Sequence, residues 1–164
     1  MKGNRNMFFS VIKKITSVTA GLVIGNLIEW NFHKHILHGL GKKKDSIWNF
    51  HWYKHHKQCR RDMVDPDYQK GWKYILSTPE FLVLSSAMGL IYKLFGKTFS
   101  GISLGVILYG FLYYFVHMRS HLDQTWAIKW IPWHVEHHQK GNQEHSFNVV
   151  YPLFDGIFRT YWKP

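Results

Sequence analysis

Twelve histidines fall in four groups: His33, His35 and His38; His51, His55 and His56; His117 and His121; and His134, His137, His138 and His145. None lies in residues 1–32 or 57–116. Imidazole is the commonest metal ligand, and a lone cysteine, Cys59, excludes every site that needs two thiolates. A metal in this chain is therefore held mainly by histidine. Helical residues three or four apart share a face, so His51/His55, His117/His121, His134/His137 and His134/His138 can each aim two imidazoles at one point. His33 and His38 are five apart, about 140° around an ideal α-helix, which calls for a bent helix end or two different ions. His35 is read as lying outside the site. Nitrogen ligation suits Fe, Zn, Cu or Ni on softness alone, so the spacing does not name the metal.

Other chemistries fail on inspection. HExxH and the Glu-x-x-His pair of carboxylate-bridged bundles are absent. His134-Val135-Glu136 imitates the H-x-E of zinc deaminases, but the P-C-x-x-C that completes that site cannot exist with one cysteine. There is no G-x-S-x-G elbow, no phosphate-cradling loop, and no motif for haem, flavin or iron–sulfur clusters.

These groups need a scaffold. Mean hydropathy is only −0.24, yet the apolar residues are segregated. Ile15 to Ile28 carries no charge, and Phe99 to Met118 is twenty residues without Asp, Glu, Lys or Arg, the strongest candidate for a membrane span. Thr78-Pro79-Glu80 reads as a cap, a first helical position and a favourable dipole charge ahead of Phe81 to Phe95. We expect apolar helices near 8–30, 79–95 and 99–120, the last two forming a transmembrane hairpin. A polar cap is expected from 33–73 and 117–164. The first stretch has a basic lead-in like a signal peptide, but Glu29 and His33 follow it with no small-residue cleavage site. A hairpin brings the chain back to the side it left, so the first two histidine groups can meet the last two. The segments 34–73 and 119–164 hold fifteen of the 21 Lys and Arg, which by the positive-inside rule places the cap in the cytoplasm. The net charge of +11 seeks anions, but a nucleic-acid-binding module does not explain the uninterrupted apolar segments, so no nucleic-acid partner is expected.

The ordered set Glu29-Trp30-x-x-His33-Lys34-x-x-x-His38, His51-x-x-x-His55-His56, His117-x-x-x-His121 and His134-x-x-His137-His138 resembles the fatty acid hydroxylase and sterol desaturase superfamily of membrane histidine-box di-iron oxygenases. The compact length and the string His33 to Gly39 are similar to its bacterial beta-carotene hydroxylase branch. Residues 146–160 (SFNVVYPLFDGIFRT) resemble the family's closing segment, and the likeness covers roughly residues 27–162. Three positions depart from it. Asn148 stands where glycine is usual, although Asn also tolerates left-handed backbone. Arg159 replaces the glycine before Thr160, and Leu122 stands where a further histidine often follows His121.

The resemblance implies an all-α integral membrane bundle. It implies ten metal ligands, His33, His38, His51, His55, His56, His117, His121, His134, His137 and His138, with His145 as a possible addition. Glu29 and Asp155 are candidates for orienting imidazole N–H groups directly. It also implies two iron ions and O2, because unactivated C–H bonds yield only to a redox metal that makes a strong oxidant from O2. The expected activity is hydroxylation of a lipid or isoprenoid C–H bond, with desaturation on the same scaffold or non-enzymatic membrane metal binding as alternatives. Electrons would come from a separate donor protein, for which Lys42 to Lys44 and Arg60-Arg61 offer a basic landing surface that anionic lipid would also suit. Trp30, Trp48, Trp52, Trp126, Trp130 and Trp133 fit an interfacial belt better than a channel lining.

Overall fold

The computed structural model describes residues 2–139 and 141–162; among these every regular element is helical and no strand occurs. Helix α1 (Lys2–Asn31) runs through the uncharged stretch and passes directly into a π-helix, Phe32–Leu40. A second π-helix, His51–His56, continues into a short α2 (Lys57–Cys59). A 3₁₀ turn (Pro66–Lys70) and α3 (Trp72–Ile75) lead to α4 (Pro79–Phe95) and α5 (Ser100–Leu122). Then come α6 (Gln124–Trp130), α7 (Pro132–Gln139) and α8 (Leu153–Ile157).

The start of α4 follows its sequence: Thr78 Oγ1 accepts from Phe81 N at 3.3 Å, and Pro79 occupies the first turn, where its missing N–H costs nothing. Pro132 has the opposite effect on α6. It pushes Ile131 out of helical geometry, and the chain restarts in a new direction as α7, which carries three histidines.

Helices α1 and α4 both pack on α5. The α1–α5 seam is a backbone-to-backbone contact. A Cβ on Gly21 would lie 2.2 Å from Ile102 O, and one on Gly105 would lie 2.2 Å from Val18 O, so only glycine lets these helices approach so closely. Two helices are long and apolar enough to cross a membrane, Asn6–Leu40 and Ser100–Leu122. The first exceeds the expected 8–30 at both ends and takes Lys13 and Lys14 within it. With 17 residues, about 25 Å, α4 is shorter than either. Apolar side chains such as Phe8, Val23, Leu104 and Phe111 face outward, as they would toward lipid.

The cap has its own small core, in which Met63, Ala127, Ile131, Val135 and Val149 pack together. Asn148 does not adopt the left-handed backbone; its side chain instead donates to Asn26 O at 2.9 Å and to Glu29 at 3.1 Å. The left-handed positions in the closing segment are Ser146 (φ 55°) and Arg159 (φ 58°). A side chain at positive φ costs about 1–2 kcal/mol, part of which glycine's greater unfolded freedom takes back. Arg159→Gly is therefore expected to stabilise the protein by about 1 kcal/mol in a thermal melt; an unchanged or lower midpoint would contradict this.

Candidate metal centre

The two π-helices solve the spacing of the first histidines. In a π-helix the hydrogen bond runs from residue i to i+5, as Gly41 N to Ile36 O does at 3.0 Å, so residues five apart return to one face. His33 and His38 therefore point together without a kink, and so do His51 and His56. The ligand nitrogens of these four lie within 4.8 Å of one another, and so do those of His55, His117, His121 and His138. His137 packs beside the first set, its ring centroid 4.9 Å from those of His33, His38 and His56. His134 joins the second, Nε2 to Nε2 at 3.3 Å from His121. The expected pairing of His51 with His55 does not hold. The His55 ring stays 5.2 Å from that of His51 but its ligand nitrogen clusters with the second set. His134 and His137 likewise face different sets, whereas His117 and His121 share one as expected.

All ten imidazoles are buried, none above 7% exposed. The outer nitrogens of five of them are held by the protein, whereas Nδ1 of His56, His134 and His138 has no hydrogen-bond partner among the described residues. Nδ1 of His33 donates to Phe147 O (2.5 Å), His121 to Met63 O (2.6 Å) and His137 to His145 O (2.5 Å). Carboxylates hold two more: His55 Nδ1 donates to Asp65 (2.8 Å) and His117 Nδ1 to Glu80 (3.1 Å). A neutral imidazole carries one N–H, so a proton fixed on Nδ1 leaves a lone pair on Nε2. Those lone pairs face each other at 3.1 Å for His33 and His51 and at 3.2 Å for His117 and His121, while Nε2 of His55, His137 and His138 has no partner. Buried acceptors pointed at one another are repulsive unless a cation lies between them. Metal–nitrogen bonds of about 2.1 Å put neighbouring ligand nitrogens roughly 3.0–3.4 Å apart, which these spacings match. The donor set thus fits two neighbouring metal ions.

Burial, then repulsion from neighbouring imidazoles, pushes His51, His56, His134 and His138 well below the ordinary histidine range. Burial and His38 do the same to His137. These groups stay neutral and ready to bind metal. His55 goes the other way. Burial lowers it, but the Cys59 sulfur and the Asp65 carboxylate outweigh that and raise it to about 9, so a metal must displace its proton.

Among the described residues no imidazole hydrogen-bonds to Glu29 or Asp155, contrary to expectation, and backbone N–H groups occupy both carboxylates. Glu29 accepts from Val149 N (2.6 Å) and from the Tyr109 hydroxyl. Asp155 accepts from Phe147 N (2.9 Å) and Asn148 N (2.7 Å). They act one step back by clamping the 146–149 loop, whose Phe147 carbonyl orients His33. His145 supplies its carbonyl to His137, while its ring packs edge-on against Trp162. His35 is exposed against Trp30. Sequence reading missed Asp65 and Glu80 as orienting groups. Glu80 looked like a helix-dipole residue, and Asp65 does serve as the cap of the 3₁₀ turn.

An apolar cleft with an empty volume of about 810 Å³ runs between α1, α4 and α5, and His33 and Glu80 stand in its wall. Trp48 is the one tryptophan of the six that lines it. Trp30 bonds Thr160 and Trp133 bonds Val149 O instead.

The chain is all-helical among its described residues, with two membrane-length helices and a buried histidine centre in two sets. The family model of the fatty acid hydroxylases matches residues 18–160, and this chain belongs to that family, within the fatty acid hydroxylase and sterol desaturase superfamily. The match begins inside α1, at residue 18. No curated protein and no solved structure matches the chain significantly.

Proposed function

We propose that the protein is an integral membrane, O2-dependent di-iron hydroxylase of a lipid or isoprenoid C–H bond. The observation that carries this is the pair of converging Nε2 sets at the end of an apolar cleft walled by His33. Iron held there supplies, with O2, the oxidant that an unactivated C–H bond requires. The first set with His137 would hold one ion and the second with His134 the other. The chain's own contribution is positional. Phe147, Met63 and His145 carbonyls and the Asp65 and Glu80 carboxylates fix the imidazole tautomers, as outer partners of metal ligands do elsewhere. The cap excludes water from the centre, and the cleft delivers one end of an apolar chain to it. The charge distribution supports a cytoplasmic cap, with electrons from a separate acidic donor docking near Lys42 to Lys44 and Arg60-Arg61.

The test is turnover of detergent-purified, iron-loaded protein with a reducing system, candidate lipids and isotopically labelled O2. A product carrying one labelled hydroxyl oxygen is expected. An unlabelled alkene would establish desaturation instead, and stable zinc without iron uptake or product would leave a metal-binding protein.

A further inference from the structure

Among the described residues, four aromatic rings other than histidine pack against the ten buried imidazoles: Trp52, Tyr68, Tyr113 and Phe147. Tyr68 and Phe147 are themselves buried, and Tyr113 lines the apolar cleft. Trp52 differs. It lies on the second π-helix beside His51, its ring centroid 5.3 Å from that of His38 and 5.5 Å from that of His56, and it is only half-buried. Of these four rings it is the one that joins the first ligand set to the polar surface. That surface is cationic. Lys42 Nζ stands 4.8 Å from the centre of the Trp52 ring and the Arg60 guanidinium 6.0 Å, and both side chains are exposed. Residues 42–61 carry seven Lys and Arg against a single acid, Asp45. Glu144, Asp62 and Asp67 pair with Lys42, Arg61 and Lys54, and the patch stays positive. It also lies past the lipid-facing part of the chain. The helix that begins as α1 continues to Leu40, Leu37 is its last residue in the cleft wall, and Lys42 follows its end, beyond both ligands it carries. A soluble protein reaches such a surface more readily than a headgroup layer does. Electron tunnelling falls off exponentially with the gap to be crossed, and a π-system touching the ligands on one side and solvent on the other shortens that gap. Cations against the ring make an electron harder to remove from it, so the indole transmits charge without holding it.

We propose that Trp52 is the electron-entry residue: an acidic one-electron carrier protein docks over it between Lys42 and Arg60, and each electron crosses the indole to the ion held by the first set. In that step the carrier is oxidised by one electron and ferric iron is reduced to ferrous; no bond forms or breaks, and Trp52 is unchanged. This deepens the hydroxylase reading by naming the residue through which its partner acts and the ion that is reached first, and it rests on that reading for the iron.

The test is stopped-flow oxidation of a reduced, small, acidic iron–sulfur protein by the iron-loaded full chain in nanodiscs of zwitterionic lipid, without substrate or O2. The rate is expected to saturate with carrier concentration, and carrier affinity to fall steeply with salt. Trp52→Leu is expected to slow the saturated rate severalfold while iron content and reduction by dithionite are unchanged. Trp52→Phe, which keeps a ring in place, is expected to recover most of that rate. Lys42→Gln/Arg60→Gln is expected to weaken carrier binding about tenfold and to leave the saturated rate alone. An unchanged saturated rate in Trp52→Leu overturns the proposal, and loss of iron from that variant makes the ring a packing element only. A charge variant that binds the carrier normally but no longer adheres to anionic vesicles makes the patch a lipid contact, which overturns it as well. Failure of the hydroxylase reading would be seen separately, as missing labelled product from protein whose electron uptake is intact.

Discussion

Iron-loaded protein carrying His33→Ala and His38→Ala is expected to retain about one metal ion where the wild type holds about two, with oxygenated product falling to background. His117→Ala/His121→Ala should cost the other ion. The two results are separable because the substituted pairs lie on different elements and in different sets: His33 and His38 on the first π-helix, His117 and His121 on α5. Each double variant removes two of four clustered nitrogens and leaves the other set whole. His137→Ala/His138→Ala is expected to weaken both sites together, because these neighbours on α7 face different sets. Elemental analysis of the three variants, with helix content as a folding control, reads the arrangement directly. Loss of both ions from either of the first two variants would mean a single shared centre, and no loss from any would remove the site.

The ten buried histidines stand out in the sequence because histidine clusters at ligand spacings, and α4 and α5 because their apolar runs have clear limits, a start at Thr78-Pro79 and an uncharged stretch from Phe99 to Met118. The division of ligands between two sets is not legible there. Nothing in the composition of His51 to His56 announces the π-turn that brings His56 beside His51, and only the approach of α5 and α7 decides that His55 joins the other set. The orienting groups were hidden for a different reason. Three of them are backbone carbonyls, which no residue type reveals, and that of Phe147 is presented by a loop that Glu29 and Asp155 hold. Glu80 had a sufficient local explanation at the start of α4, and only the approach of α5 brings His117 to it.

Metal-free protein is expected to lose the tertiary structure of its cap between about pH 6.5 and 5.5, while the iron-loaded form persists to lower pH. His51, His56, His134, His137 and His138 have folded-state values below the 6.5 of a free histidine. As pH falls below 6.5 the unfolded chain takes up protons that the folded chain refuses, so stability is present above 6.5 and drains away through the window beneath it. Each such group costs at most about 1.4 kcal/mol per pH unit, so five together approach about 7 kcal/mol per unit, against a typical total of about 5–15 kcal/mol. His55 does not oppose this limb. Its raised value of about 9 confers stability that is complete below 6.5 and is lost only as pH rises toward 9, which adds a shallow alkaline decline. Metal on the Nε2 lone pairs competes with protons and moves the acid limb down. Tryptophan fluorescence is the right probe, because Trp52 packs on His38 and His56 and Trp133 bonds Val149 O within the cap, whereas far-ultraviolet helix signal is held by α1 and α5 in lipid or detergent. An apoprotein curve that stays flat to pH 5, or one that coincides with the loaded curve, would show that the imidazoles are not a buried, metal-seeking cluster.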